Sequence, residues 1–188
     1  MRIIRFCDLT ETPWKNGGGI TREIAQVQSG QDLIWRLSMA DVSSDGVFSN
    51  FAGLMRILTV IEGDGMELTS PAGTLQADLG VPAHFDGALE IEAKLKGSAL
   101  RDFNLMFDPL HCDCDATVIQ GPYRQLLQTD PLLTYALHCF AGSVDFTKGD
   151  QRHPGDTALI DTGSVRVALP EGASSLLLSL KSYGYGSP

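Results

Sequence analysis

Three cations, two amides and two carboxylates stand out on segments that otherwise read as tight turns or apolar strands. Lys15 and Asn16 follow Trp14 and precede Gly17, Gly18 and Gly19. Thr21 and Glu23 lie just beyond. Arg36 and Ser38 alternate with Trp35, Leu37 and Met39, and Arg56 opens the run Met55 to Glu62. Asp102 and Asn104 alternate with Phe103 and Leu105. Arginine offers a planar fork of donors that fits a carboxylate, and an asparagine amide can both donate and accept. The chemistry this set suits best is recognition of a small carboxylated molecule. The N–H groups of Gly17 and Gly18 could add an anion-binding nest. Glu23 or Asp102 could instead serve as a general base, but a carboxylate beside arginines is pushed down in pKa and is a weak base near neutrality.

Motifs for other chemistries are missing. The sequence contains no Gly-x-Ser-x-Gly, no phosphate-binding loop and no His-Glu-x-x-His. The glycine run lacks the strand–helix setting of a dinucleotide fingerprint. His84, His111, His138 and His153 stand singly, which disfavours a catalytic metal needing about three convergent ligands. His111 to Asp115 contains Cys-x-Cys with no second pair nearby and reads as a polar surface loop rather than a metal tract. Neither a cofactor nor a metal is expected. With no secretory signal, Cys7, Cys112, Cys114 and Cys139 are expected to be reduced thiols.

The elements that must position these residues are strands. Apolar and polar residues alternate over 33–42, and 55–62 is apolar on both faces. Short strands are expected at 3–9, 21–27, 66–69, 74–77, 84–95 and 103–106, with turn signals every ~8–12 residues, the spacing of a sandwich or barrel. Further strands are expected at 132–140, 144–146, 157–161, 165–169 and 175–180. Turns fall at Lys148-Gly149-Asp150 and a loose tail at 182–188, and the one candidate helix is at Pro122 to Leu126. Both halves run strand, glycine, short strand, turn, Pro/Gly, strand, which suggests an internal duplication. Arg36 and Ser38 must face away from Trp35 and Leu37, toward solvent in an open sandwich or into the mouth of a small barrel. Arg56 enters a strand covered on both sides, so its charge needs a partner, from the protein or from a ligand. Asp102 is a candidate structural partner for Arg36 or Arg56. The glycine run fits a plain turn as well as a close approach to a ligand.

Chain length and charge bound the rest. A chain of 188 residues suits one domain or a compact pair of fused repeats. Its formal net charge of −9 opposes binding to nucleic acid and to anionic membranes. No apolar run reaches the ~18 residues of a membrane span, and Met1 to Arg5 lacks a signal-peptide core. A cytoplasmic protein is expected, and homodimerisation stays open.

The strand–Gly–strand–turn–strand order resembles the cupin barrel, an all-β double-stranded β-helix or jelly roll. More specifically, Pro13 to Gly19 with Thr21 and Glu23, Trp35 to Ser38, Asp45 to Gly53, Arg56, Glu62 to Gly65, Phe85 to Gly87 and Asp102 to Met106 resemble the HutD/Ves family. The sequence departs from that pattern in having Met55 before Arg56 and in its cysteine-rich segment at 112–114. The resemblance implies a bicupin, with approximate halves 1–110 and 111–188 in one compact chain. It also implies an association with histidine utilisation, in which HutD is regarded as a governor of the pathway, or alternatively a Ves-type stress-induced protein. The implied ligand is urocanate or a formyl- or formimino-glutamate intermediate.

Three functions compete. The first is a non-enzymatic binding protein using Trp14, Lys15, Asn16, Gly17, Gly18, Thr21, Glu23, Arg36, Ser38, Arg56, Asp102 and Asn104. The second is a metal-independent lyase, isomerase or hydrolase. The third is an interaction module whose polar residues only pair with one another. The first requires Lys15, Arg36, Arg56 and Asn104 to converge on one cavity.

Overall fold

A computed structural model describes residues 1–146 and 151–183. The expected turn at 148–150 and most of the expected tail therefore lie outside the described residues. The chain divides into two units, Leu9–Leu110 and Met1–Asp8 with the chain from His111 onward. Both are built from antiparallel strands. In chain order, β1 (Arg2–Ile4) precedes a one-turn 3-10 helix at Phe6–Asp8, where a continuous strand over 3–9 was expected. β1 pairs with a strand late in the chain, which places residues 1–8 in the second unit.

The unit Leu9–Leu110 contains β2 (Glu11–Pro13), β3 (Gly19–Ser29), β4 (Asp32–Val42), β5 (Gly46–Val47), β6 (Met55–Glu62), β7 (Met66–Ser70), β8 (Gly73–Ala77), β9 (Ala83–Asp86), β10 (Glu92–Leu95) and β11 (Leu100–Phe107). A six-stranded sheet in the order β2-β3-β4-β11-β6-β9 faces a four-stranded sheet β5-β10-β7-β8. The core lies between them. Ala40, Val42, Leu58, Val60, Ala83, Phe85 and Leu100 come from the first sheet and Met66, Leu68, Ala77 and Ala93 from the second. The opposite face of the first sheet is also buried, with Leu37, Met39, Ile57, Phe103 and Leu105 at 2% exposure or less. β4, β6 and β11 are thus covered on both faces, as the apolar run in β6 implied. A charge in the middle of these strands, on the face toward the second sheet, is therefore shut off from bulk water, whereas Asp41, Arg101 and Glu62 near the strand ends keep 26–70% of their side chains exposed.

The second unit adds β12 (Cys112–Gln120), β13 (Tyr123–Gln128), β14 (Leu133–Ala141), β15 (Val144–Phe146), β16 (Gln151–Arg152), β17 (Thr157–Ile160), β18 (Ser164–Leu169) and β19 (Ser174–Ser182). Its sheets run β1-β17-β14-β19-β12 and β13-β18-β15-β16. Two expectations fail here. The candidate helix at 122–126 is strand β13, paired with β18 from Tyr123↔Leu169 to Gln128↔Ser164. So short a segment cannot hold a helix alone, and the ladder supplies hydrogen bonds that it would lack. The supposed polar loop at 111–115 opens strand β12, with Cys112, Cys114 and Ala116 buried and Asp113 and Asp115 exposed. The alternation is that of a half-buried strand in which cysteine acts as a small hydrophobe.

All four cysteines are free, and Cys7 alone is exposed. Burial pushes the Cys139 thiol up to about 11. The hydrogen bond to Cys112, 3.7 Å away, and burial push Cys114 up as well. We expect a thiol reagent to modify Cys7 rapidly in the native protein and the other three only after denaturation, a difference that mass spectrometry reads directly. Among the described residues, no helix is long and apolar enough to cross a membrane.

Candidate functional site

Residues directly opposite in an antiparallel ladder share a face. Asn104 stands opposite Ser38 on β4 and Leu58 on β6, and Asp102 stands opposite Ala40 and Val60. Met106 stands opposite Arg36 and Arg56, Arg56 opposite Phe85, and Glu23 opposite Ser38. Leu58, Val60, Ala40 and Phe85 belong to the core between the two sheets. Glu23, Arg36, Ser38, Arg56, Asp102 and Asn104 therefore all point into the barrel. Among the described residues the buried charged side chains are Arg22, Arg56 and Asp102, all in this unit.

These charges differ in how they are compensated. Arg22 bonds Asp41 and Glu11, both at 2.6 Å, and Asp41 also takes Arg101, which reaches Glu62. Burial opposes the charge on Arg22, but the two carboxylates hold its pKa above the ordinary arginine value. This chain of charges on β2, β3, β4, β6 and β11 is structural. Arg36 is bound by Glu23 at 2.9 Å, a diagonal pair made where β3 bulges between Glu23 and Ala25. Both partners are partly exposed, with side-chain accessibilities of 25% and 44%. Glu23 is thus occupied, which fits poorly with a general base. We expect Glu23→Gln to change stability by less than ~1 kcal/mol in denaturant unfolding, the range of exposed pairs.

Arg56 is different. Its side chain is nearly closed off, at 5% exposure. Among the described residues it forms no ion pair within 4.0 Å. Its Nη2 donates to Asn104 Oδ1 at 2.6 Å, while Nε is buried with no partner. Three phenyl rings form a sleeve around the guanidinium, with centroids at 5.5 Å for Phe48, 5.5 Å for Phe51 and 5.0 Å for Phe85. Ring faces stabilise a cation without neutralising it. Burial pushes the guanidinium down to about 10, opposed by Asp102 and assisted by Arg36, so it stays charged at neutral pH.

Asp102 reaches this site through Asn104, whose Nδ2 donates to Asp102 Oδ1. The amide is thereby fixed with its oxygen toward Arg56 and its nitrogen toward Asp102. Complete burial raises the Asp102 carboxyl to about 7, against the pull of Arg56 and the Asn104 hydrogen bond, with Asp41 adding to the rise.

The N-terminal loop has a role other than the expected one. Trp14 N donates to Gly19 O, Gly17 N to Trp14 O, and Gly18 N to Asn16 Oδ1. Both glycine N–H groups are consumed inside the turn, so the anion nest is not formed, and Asn16 caps the turn instead of facing a ligand. Lys15 is exposed on this turn and no bond joins it to the arginines. Arg36, Arg56 and Asn104 thus share one barrel face, and Lys15 is not on it. Trp14 packs against the core: its indole N–H donates to Thr21 Oγ1 at 2.7 Å and its ring meets Phe48 edge-on at 6.1 Å. The glycines let the turn close. Gly17 has φ +73°, and a Cβ on Gly19 would lie 2.6 Å from the Asp41 carbonyl oxygen and 3.0 Å from the Trp14 ring. Neither neighbour is a flexible tip. We expect Gly19→Ala to cost ~1–3 kcal/mol in denaturant unfolding.

The sleeve residues Phe48, Phe51 and Phe85 were not singled out as site residues from the sequence. Two lie on a loop pinned by Phe48 N to Ile91 O, Phe51 N to Gly87 O and Gly87 N to Leu54 O. Only the pairing of aromatics with a buried arginine could have flagged them. Beyond Phe48 lies a groove of about 510 Å³ whose lining includes Val47, Asn50, Glu90 and Glu92. Its two acids make it a poor seat for an anion.

A family model described as HutD matches residues 7–178. The chain belongs to the HutD family. It is 44% identical over 140 residues to an uncharacterised 21.2 kDa protein in the hutC 3′ region of Pseudomonas putida, covering 72% of this chain and 73% of that protein. The protein Ves of Escherichia fergusonii is 33% identical over 111 residues, 55% of this chain and 57% of its own. HutD from Pseudomonas fluorescens SBW25, solved in a formate condition, superposes with a TM-score of 0.85 at 30% identity over 97% of this chain and 99% of that one. The nickel-bound pirin YhhW of Escherichia coli superposes at 0.71 with 9% identity, covering 97% and 99% of the two chains, and shows the fold alone. The fold is accordingly cupin-like and all-β. This HutD-family chain thus has one relative named for its place in a hutC 3′ region and another named Ves.

Proposed function

We propose that this HutD-family protein is a non-enzymatic binding protein whose barrel in Leu9–Leu110 takes a small carboxylated molecule at Arg56. The observation that carries this reading is the state of Arg56. It is a buried cation with an unpartnered Nε and, among the described residues, no carboxylate within 4.0 Å, while Arg36 has one such partner and Arg22 and Arg101 have two each. Buried polar groups are nearly always bonded, and an orphaned donor marks where a partner belongs. Arg36 and Asn104 flank that position, Trp14 and the phenyl sleeve wall it, and the carboxyl beside it, Asp102, is buried and bonded to Asn104. With relatives at the histidine-utilisation locus, the ligand is a carboxylated intermediate of that pathway such as urocanate or formylglutamate, and binding it would report pathway flux.

The two units are read as the fused halves of a bicupin acting in the cytoplasm, with neither nucleic acid nor membrane as partner. Calorimetric titration with urocanate, formylglutamate and glutamate tests the reading. A dissociation constant below ~1 mM for one of these acids is expected, equivalent to about 4 kcal/mol. Absence of binding by all of them refutes it, and turnover of any of them would move the protein to the enzymatic reading.

A further inference from the structure

We propose that an anion docking on Arg56 is accompanied by uptake of one proton onto Asp102, which makes carboxylate binding proton-linked. The proposal rests on the binding reading above and adds its regulation.

The charge inventory of the barrel face carries it. From β3 comes Glu23 and from β4 Arg36, and these two neutralise each other. From β6 comes Arg56, and from β11 Asp102. From β9 comes Phe85, while His84 stands opposite Ile57 on the other face of the sheet. The facing sheet contributes Met66, Leu68, Ala77 and Ala93, all apolar. Asp41, on the other face of β4, is held by Arg22 and Arg101. One uncompensated cation thus faces one buried carboxyl, with Asn104 bonded to both.

A ligand carboxylate at Arg56 makes two acids share one guanidinium away from water. Like charges in one desolvated site do not both stay ionised, and the group with the poorer solvation takes the proton. Asp102, at 1% exposure, is that group. The balance is simple: free protein with Asp102 ionised, the ligand anion and one proton from buffer give the complex with Asp102 as carboxylic acid. The Asn104 amide need not turn, because a neutral carboxyl still presents a carbonyl oxygen to its N–H.

Binding of N-formylglutamate and of sodium formate, neither of which titrates in this range, is measured by calorimetry in buffers of different ionisation enthalpy. Uptake close to one proton is expected at about pH 8 and close to none at about pH 6, with affinity falling about tenfold per pH unit above ~7. Asp102→Asn should bind with no proton uptake and no pH dependence, and tighter than the wild type at about pH 8 by about tenfold. A carbon-13 titration of the aspartate carboxyls in the wild type keeps the test independent of that variant. One buried carboxyl should change from ionised to protonated when ligand is added. Flat affinity with no uptake, or uptake that persists in Asp102→Asn, overturns the proposal while leaving the binding site standing. Failure of the wild type to bind at any pH overturns both.

Discussion

Arg56→Met leaves the protein folded and removes its affinity for carboxylates. The methionine fills most of the same volume among Phe48, Phe51 and Phe85, and it lifts the desolvation cost of the guanidinium. Replacing a buried charge by an apolar side chain of similar size is often neutral or stabilising, by up to about 4 kcal/mol. Against this stands the orphaned Asn104 Oδ1, which loses its 2.6 Å bond from Arg56 at a cost of about 1–3 kcal/mol. The net change in unfolding free energy should stay within ~2 kcal/mol. Binding should weaken by at least about 100-fold, because each charge-assisted hydrogen bond to the ligand contributes ~1.5–3 kcal/mol. Paired denaturant unfolding and calorimetry separate the two effects. An arginine whose role is only to hold the barrel together would give the reverse pattern, a loss of ~3–5 kcal/mol of stability.

The second large effect is a pH dependence of stability in the free protein. Asp102 titrates near the ordinary value of ~3.9 when unfolded and at about 7 when folded. Between these values the folded protein holds a proton that the unfolded chain has released. The carboxyl therefore imposes no penalty below about pH 4, costs progressively more stability as pH rises to about 7, and adds nothing further above that. The full swing is on the order of 3–4 kcal/mol. Asp102→Asn removes the titrating group without changing its shape. Its stability should match that of the wild type near pH 4 and exceed it by most of that swing at about pH 8. The comparison between the two proteins cancels the background from the net charge of −9, which both share except at this residue. Identical pH profiles for the two would show that Asp102 is ionised at no cost.

The strand faces were legible in the sequence because alternation has a period of two. Apolar residues on both sides of Arg56 forced a covered strand, and the parity of Asp102, Asn104 and Met106 followed in the same way. The cupin-like fold was legible too, from turn spacing and from the HutD-like motifs. What failed were features decided by non-local contacts. Lys15 and Asn16 belong to a turn, and the sequence does not say where such a turn aims its side chains. The hydrogen bonds within 14–19 turn the glycine N–H groups inward. Cys112 and Cys114 look polar beside Asp113 and Asp115, but every second residue there is buried. The sleeve depends on Phe48, Phe51 and Phe85 meeting Arg56 across loop and sheet, and no local pattern encodes that meeting. The Glu23–Arg36 pair depends on a bulge that shifts the register of β3.

The central claim is that Arg56 is the ligand's anchor, and its own Nε–H reports on it. With nitrogen-15 in the arginine side chains, Arg56→Lys assigns the resonance by its loss. Titration with formylglutamate or urocanate should move that one signal far more than those of Arg22 and Arg101, which already have carboxylate partners. Binding detected by calorimetry with the Arg56 signal unmoved would place the ligand elsewhere and contradict the account.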